Sequence, residues 1–234
     1  MNVKVIGSGS SGNCYRIDDG CTAILLDAGL PLREIQKGLD FHLSDISAAL
    51  ISHSHGDHSK AVKDLLARGV DIYASIETLK EIGVQGPGTH PIAATVGKPF
   101  QVESFSVMPF DVHHDVRNLG YLVGSHATGE RLVYITDTYY TDYTFPDVTH
   151  WMIECNYVTD ILEHNVADGA IPQTVAHRIP QSHMSLETVC ELFKTNDMKA
   201  AKEIYLLHCS DGNGDAERMK KAVQEIAGCP VYVA

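Results

Sequence analysis

Six consecutive residues place a dense group of metal-binding side chains directly after a short apolar run. The group reads His53-Ser54-His55-Gly56-Asp57-His58, and the preceding run, residues 48–51, is typical of a buried strand. Because side chains alternate along a strand, His53 and His55 leave it on the same side, and Asp57 and His58 follow at the turn into a helix. Imidazole and carboxylate groups suit zinc or a similar first-row ion, and a catalytic site leaves one position open for water. The motif therefore predicts a metal-dependent enzyme, in preference to a polar loop that happens to be rich in histidine.

The overall charge limits the partners of the chain. Thirty acidic residues against 18 basic residues give a net charge of -12. A broad interface with duplex nucleic acid needs clustered Lys and Arg, so this balance argues against one. It does not exclude a phosphate substrate, because bound divalent ions reverse the local field.

The length and the first residues indicate where the protein works. The 234 residues are enough for one large domain with a substantial core, and we expect a single domain over residues 1–234. No apolar stretch approaches the ~20 residues of a membrane helix, and residues 3–6 enter a strand without a signal-peptide pattern. We expect a cytoplasmic protein without a membrane partner. The oligomeric state is left open, a homo-oligomer included.

Hydrophobic patterning predicts strands interleaved with helices in both halves of the chain. The predicted strands cover residues 3–6, 14–17, 22–26, 48–51, 71–74, 100–107, 119–123, 132–135, 152–155, 204–207 and 231–233. The predicted helices cover residues 32–39, 60–67, 76–82, 186–193 and 216–226. This alternation predicts an α/β (α+β) protein in which two packed sheets are covered by helices, a four-layer αββα sandwich.

An early glycine-rich segment imitates a dinucleotide-binding motif. Residues 7–12 fit G-x-G-x-x-G after a strand, but residues 13–17 open a β-hairpin where the phosphate-binding helix would begin. We therefore reject a Rossmann fold. Two interpretations of the Gly/Ser loop stay open: backbone amides that face a site, or a flexible turn.

The motif has the His-x-His-x-Asp-His form of the metallo-β-lactamase superfamily, and the chain resembles that superfamily from end to end. The supporting runs in order are Ile24-Leu25-Leu26-Asp27-Ala28-Gly29, Val112-His113-His114-Asp115, Tyr134-Ile135-Thr136-Asp137-Thr138 and Tyr205-Leu206-Leu207-His208. Within the superfamily the chain is most similar to the YycJ/WalJ-like branch, which is related to tRNase Z and regarded as exonuclease-like DNA hydrolases. Glu154-Cys155-Asn156 is among the runs that fit this branch.

The resemblance implies a site with two divalent metal ions, zinc by preference, with Mn or Fe as alternatives. It implies that one ion is held by His53, His55 and His114 and the other by Asp57, His58 and His208. Asp137 would bridge the two ions, a task that suits a carboxylate. His113 and His114 compete for one ligand position, and His114 is favoured because related sequences carry a His followed by Asp here and Asp115 follows His114. Asp27 would lie behind the ligands and orient them.

A second segment, residues 181–185, precedes a predicted helix for which Ser185 suits the N-cap. A helix N-terminus with Ser and His beside it is suited to an anion. Superfamily members that cleave phosphodiesters carry a His-x-Ser or His-x-Thr here, which implies that His183 protonates the leaving oxygen or contacts phosphate. Ser185, Arg117 and Arg178 are candidates for phosphate contacts, and ordinary surface charge explains the two arginines equally well.

These features predict a binuclear metal-dependent phosphodiesterase, specifically a DNA exonuclease-like hydrolase acting on nucleic-acid ends or nucleotides. Asp57 would orient the attacking hydroxide, and His183 would deliver the proton. A cyclic-nucleotide phosphodiesterase is the first alternative, since the acidic charge suits a small substrate. Thioester, lactone or β-lactam hydrolysis is a further alternative, and a non-enzymatic binding module is the weakest because the ligand set is complete.

Overall fold

A computed structural model describes residues 1–92 and 97–234. The described chain divides into two compact units. The amino-terminal unit comprises Met1–Asp111 and Val116–Glu130, and the carboxy-terminal unit comprises Val112–Asp115 and Arg131–Ala234. The expectation of one domain over residues 1–234 stays a prediction.

The amino-terminal unit contains a six-stranded sheet whose strands lie in chain order. These strands are β1 (Asn2–Gly7), β2 (Cys14–Asp18), β3 (Ala23–Leu26), β4 (Ile46–Leu50), β5 (Asp71–Ser75) and β6 (Thr89–Ile92). The pairs β1–β2 and β2–β3 are antiparallel, as the predicted hairpin requires, and β3 to β6 are parallel. The edge strand β6 was not predicted.

Four short helices accompany this sheet: α1 (Leu32–Gly38), α2 (Gly56–Ser59), α3 (Val62–Leu66) and α4 (Ile76–Ile82). A 3-10 turn covers Leu43–Asp45. The prediction of a single helix over residues 60–67 is wrong about where the helical segment begins. The chain forms a first short helix, α2, at the histidine motif and then a second, α3. The unit's apolar core is drawn from its strands and from the inner faces of α1, α3 and α4.

Three further strands lie in the amino-terminal unit, except for Val112 at the end of the second: β7 (Phe100–Val102), β8 (Phe105–Val112) and β9 (Asn118–Ser125). The prediction of one strand over residues 100–107 is wrong, since β7 and β8 form an antiparallel hairpin. Its turn includes Glu103, whose φ of 48° lies in the left-handed region. Neither Gly nor Pro marks this turn in the sequence.

The carboxy-terminal unit contains four parallel strands, β10 (Arg131–Ile135), β11 (His150–Glu154), β12 (Glu203–Leu207) and β13 (Val231–Val233), which neighbour one another in this order. Its helices are α5 (Thr159–Ala167), α6 (Gln173–Ala176), α7 (Ile179–Ser182), α8 (Leu186–Thr195) and α9 (Ala216–Ala227), with a 3-10 turn at Met198–Ala200. Trp151 in β11 packs edge-on against Phe145 and Phe193 in the core of this unit. The helices α5 to α7 were not predicted.

The described residues thus make a mixed α/β fold with two sheets and flanking helices, which confirms the predicted class. None of the helices in residues 1–92 and 97–234 is both long enough and apolar enough to cross a bilayer.

Candidate metal and catalytic site

The histidine motif brings four predicted ligands together in the amino-terminal unit. The chain leaves β4 at Leu50 and enters α2 at Gly56, so the motif spans a strand-to-helix corner, as expected. The ring centroid of His53 lies 4.7 Å from that of His55 and 4.2 Å from that of His58. His58 Nε2 is 3.6 Å from a carboxylate oxygen of Asp57. Three imidazoles and one carboxylate at this spacing fit the donor chemistry of a first-row divalent ion.

Asp27 lies behind this cluster and fixes two of its rings. The fully buried carboxylate is 2.6 Å from His58 Nδ1 and accepts hydrogen bonds from the Ser52 backbone amide (2.7 Å) and hydroxyl (2.9 Å). The same Ser52 hydroxyl lies 2.9 Å from His53 Nδ1. Carboxylates in contact with the Nδ1 side of an imidazole are the usual way to orient a metal ligand. Asp27 therefore contacts His58 directly and His53 through Ser52, and its role behind metal ligands stays a prediction.

The Gly/Ser loop of residues 7–12 supports Asn13, which contacts the motif from the other side. Asn13 Oδ1 accepts a hydrogen bond from the Gly9 amide (2.9 Å), and Asn13 Nδ2 lies 3.0 Å from His58 Nε2. The Asn13 backbone amide also donates to the Asp57 carbonyl at 2.7 Å. The loop is thus a hydrogen-bonded support for the motif, a role that neither sequence interpretation included.

Gly29 is required by the close approach of two segments. A Cβ atom at this position would lie 1.6 Å from the carbonyl oxygen of Asp57, a backbone atom that cannot move aside. The neighbouring Ala28 amide donates to the His58 carbonyl at 2.8 Å. The run after β3 and the histidine motif are therefore packed backbone against backbone.

A second cluster forms in the carboxy-terminal unit where three parallel strands end. Asp137 follows β10, Glu154 ends β11 and His208 follows β12. Parallel strands bring their carboxyl ends to one edge of a sheet, so these side chains converge. Together with His183, which follows α7, they place one ligand atom each within 4.8 Å of one another.

Glu154 organises this second cluster. Its side chain is fully buried, and Oε1 lies 2.6 Å from His183 Nδ1 and 3.3 Å from His208 Nδ1. The other oxygen, Oε2, accepts from the backbone amides of Thr138 (3.0 Å) and Met184 (3.3 Å). Burial disfavours both charges, but the ion pair outweighs it: the pKa of Glu154 is lowered and that of His183 is raised. The contact between the two groups therefore favours their charged forms, with His183 as the cation.

Sequence reasoning assigned no role to Glu154 or to Asn156. Asn156 Nδ2 donates to the His208 carbonyl at 2.8 Å and lies 3.2 Å from His208 Nδ1. The available signal was a charged residue closing the apolar run of β11, where a buried carboxylate needs a partner.

Three of the predicted site residues have left-handed backbone conformations. Asp27, Asp137 and His208 have φ values of 57°, 49° and 54°, and each comes just after a strand end. Non-glycine residues pay a steric cost for this conformation, and such cost is concentrated at functional sites. The sharp turn it produces redirects each side chain away from its strand.

The neighbours His113 and His114 differ in burial. The His114 side chain is 3% exposed, and its Nε2 lies 3.1 Å from Asp115. The His113 side chain is 49% exposed and pairs with Asp142 at 3.0 Å. This difference is the one expected if His114 is the ligand, an assignment that stays a prediction.

The three phosphate-contact candidates are each engaged in local structure. Arg117 forms an ion pair with Asp111, with 2.6 Å between Nη2 and Oδ1. Arg178 is exposed at the N-cap of α7. The Ser185 hydroxyl accepts from the Thr188 amide at 3.1 Å and caps α8, as the sequence indicated. Their contacts with phosphate stay predictions.

Comparison with known proteins identifies the family of this chain. A family model described as the β-lactamase superfamily domain matches residues 22–209, which is most of the chain and includes every predicted metal ligand. The chain belongs to the β-lactamase superfamily. Its α/β fold and its His/Asp clusters make it a metal-binding hydrolase of the metallo-β-lactamase type.

Individual relatives agree with this assignment. An exodeoxyribonuclease YycJ from Bacillus anthracis is 25% identical over 97% of this chain and 89% of its own length. The crystal structure of the metallo-β-lactamase fold protein YhfI from Bacillus subtilis covers 99% of this chain and 95% of its own, with a TM-score of 0.74 and 20% identity. The crystal structure of human tRNase Z, short form, covers 100% of this chain and 96% of its own, with a TM-score of 0.66 and 15% identity. The predicted metallo-β-lactamase fold is confirmed.

Proposed function

We propose that this hydrolase cleaves phosphodiester bonds, with the ends of single-stranded DNA as its substrate class. The observation that carries the proposal is the pair formed by His183 and Glu154. With Nδ1 held 2.6 Å from a buried carboxylate, the His183 ring has Nε2 left to present a proton when it is protonated. A positioned acid of this kind is needed to release a poor leaving group such as a sugar hydroxyl.

Two divalent ions are part of the proposal, with zinc preferred and Mn or Fe as alternatives. His53, His55 and His114 would hold one ion, and the other would be held by Asp57, His58 and His208, with Asp137 shared between them. The mixture of imidazole and carboxylate donors, set in the local clusters described above, fits this chemistry. When bound, such ions lower the pKa of water and neutralise charge on a phosphate.

The residues of the chain then divide the work of in-line displacement. Asp57 orients the attacking water, and His183 gives its proton to the leaving oxygen as the phosphorus–oxygen bond breaks. Glu154 orients His183 and stabilises its positive charge, while Asp27 fixes the His58 ring through Nδ1. No serine or cysteine nucleophile is needed.

The substrate class is supported by the relatives and by the charge of the chain. The relative from Bacillus anthracis bears the name exodeoxyribonuclease, and the human structure of the same fold is a tRNase Z. A net charge of -12 is poorly suited to many phosphate contacts along a duplex, so we propose action at strand ends. The same charge favours the second candidate, hydrolysis of a cyclic nucleotide.

A substrate panel tests the proposal. Purified protein is assayed on 5′-phosphorylated single-stranded DNA, a cyclic nucleotide, bis(p-nitrophenyl) phosphate and a lactone, with Asp137→Asn as the control that the activity belongs to this chain. We expect release of mononucleotides from the DNA and slow turnover of the simple diester. Turnover of the cyclic nucleotide without cleavage of DNA would support the second candidate. Turnover of the lactone alone would show that the phosphodiester assignment is wrong.

A further inference from the structure

A tyrosine-rich loop begins at the proposed bridging residue Asp137. In the part of the chain that the structure describes, eight large apolar or aromatic side chains are exposed, and three of them fall within five residues of this loop. They are Tyr139, Tyr140 and Tyr143, with exposed fractions of 42%, 47% and 41%. Exposed aromatic side chains in such density are typical of a binding surface.

The loop is fixed at both ends by hydrogen bonds. At its start, the Thr138 hydroxyl accepts from the His113 amide at 3.1 Å and donates to the Tyr140 carbonyl at 2.7 Å. At its end, the Phe145 amide donates to Asn196 Oδ1 at 2.7 Å. The loop that carries the tyrosines is therefore anchored at both ends, which lowers the entropic cost of ordering it when a ligand binds.

His113 holds the ring of Tyr139 in place. The two rings are stacked, with centroids 5.4 Å apart and planes at 25°. The imidazole is itself held by the Asp142 carboxylate, 3.0 Å from Nε2. This contact gives the non-ligand histidine a function: it orients an exposed aromatic ring.

The loop begins next to the proposed reaction centre. Tyr139 is two residues from Asp137, and two residues span at most about 7 Å, so the two Cα atoms lie no farther apart than that. A chain with a net charge of -12 needs a means other than basic side chains to hold a nucleic-acid strand. Aromatic rings supply one, because every nucleobase has a π-face on which tyrosine can stack.

We propose that Tyr139 and Tyr140 form a stacking platform for unpaired bases at the end of a nucleic-acid strand. The platform binds the bases next to the cleaved phosphate and gives preference to single strands, whose bases are accessible, over paired duplex. This inference rests on the phosphodiester activity proposed above.

The test compares two oligonucleotides of equal length, one with normal bases and one with abasic sites at the cleaved end. Steady-state constants are measured for wild type, Tyr139→Ala, Tyr140→Ala and the corresponding Phe variants. Tyr232→Ala is the matched control, because Tyr232 is also 45% exposed in the same unit but lies on β13. Since a base–aromatic stack is worth ~1–3 kcal/mol, each Ala variant should raise KM for the normal strand about 5- to 150-fold.

The remaining variants make the result specific. Both Phe variants should keep the wild-type KM, because a phenyl ring still stacks, and Tyr232→Ala should also keep it. The wild-type KM for the abasic strand should already be high, and the Ala variants should raise that KM little further. Equal KM values for wild type and both Ala variants on the normal strand would overturn the platform while leaving the phosphodiester activity intact. A wild-type protein that cleaves neither strand would overturn the proposed function, and the platform with it.

Discussion

Replacement of Glu154 by glutamine should remove the charged partner of the proposed acid His183 while nearly keeping the size of the side chain. Glutamine has nearly the same size, and its carbonyl oxygen can still accept from the amides of Thr138 and Met184. It has no charge for His183 or His208, whose Nδ1 atoms lie 2.6 Å and 3.3 Å from the carboxylate. An amide group would also present a donor to His183 where the carboxylate presents an acceptor. The acid should therefore lose its orientation and its charged partner together.

The size of each effect follows from these contacts. The loss of an oriented general acid should lower kcat on DNA by ~10²–10⁴-fold. Two charge-assisted hydrogen bonds worth ~1.5–3 kcal/mol each are weakened or lost, which should lower the free energy of unfolding by about 2 kcal/mol. For a chain of 234 residues this corresponds to a melting temperature lower by about 4–8 °C.

The assay uses two substrates that differ in their leaving group. DNA needs a proton on its leaving oxygen, whereas bis(p-nitrophenyl) phosphate releases a stable phenolate and should lose less than about tenfold in rate. His183→Ala is assayed in parallel and should show the same difference. If Glu154→Gln cleaves DNA at the wild-type rate, the Glu154 carboxylate does not support His183 as the proton donor. If both substrates lose rate equally, the pair binds phosphate instead of delivering a proton.

Two further predictions concern stability away from this pair. Asp19 accepts hydrogen bonds from two serine hydroxyls and two backbone amides, which outweigh burial and lower its pKa from 3.8 to about 2. Its stabilisation is therefore complete above the ordinary pKa and is lost as pH falls towards 2. After allowance for solvent screening, Asp19→Asn should lower the free energy of unfolding by about 1 kcal/mol at neutral pH and by almost nothing near pH 2. Urea unfolding across that pH range measures the difference, and a difference that does not change with pH would contradict the prediction. Gly29→Ala would place a Cβ 1.6 Å from the Asp57 carbonyl oxygen and should lower the free energy of unfolding by about 3 kcal/mol or more. Gly56→Ala is the control, because a Cβ at that position meets open space. Equal melting temperatures of the two variants would refute the packing argument.

Local signals in the sequence explain which elements were predictable. The helix α4 begins and ends where expected, because Ser75 caps it by accepting from the Thr78 amide and Gly83 ends it with a φ of 74°. The turn between β7 and β8 carries no such signal, since Glu103 adopts its left-handed conformation within an otherwise strand-like run. The short helices α6 and α7, of four residues each, are too brief to produce a periodic pattern.

The candidate site was predictable to the extent that its residues form motifs. The 53–58 segment indicates metal by its own composition, and the strand-end residues Asp137 and His208 came from family resemblance. Glu154 was not assigned a role because one carboxylate in an apolar run has no spacing to recognise. Its role depends on His183, 29 residues away in the chain, and only the folded structure brings the two together.

The central claim, that His/Asp clusters hold two ions for phosphodiester cleavage, is tested most directly by metal analysis and DNA hydrolysis on the same samples. Mass spectrometry should find about two divalent ions per wild-type chain, as a two-ion mechanism requires. Chelation should abolish cleavage of single-stranded DNA, and added Zn or Mn should restore it. His114→Ala should lose metal and cleavage, whereas the neighbouring His113→Ala should keep its metal. Full cleavage by metal-free protein, or unchanged metal content in His114→Ala, would contradict the account.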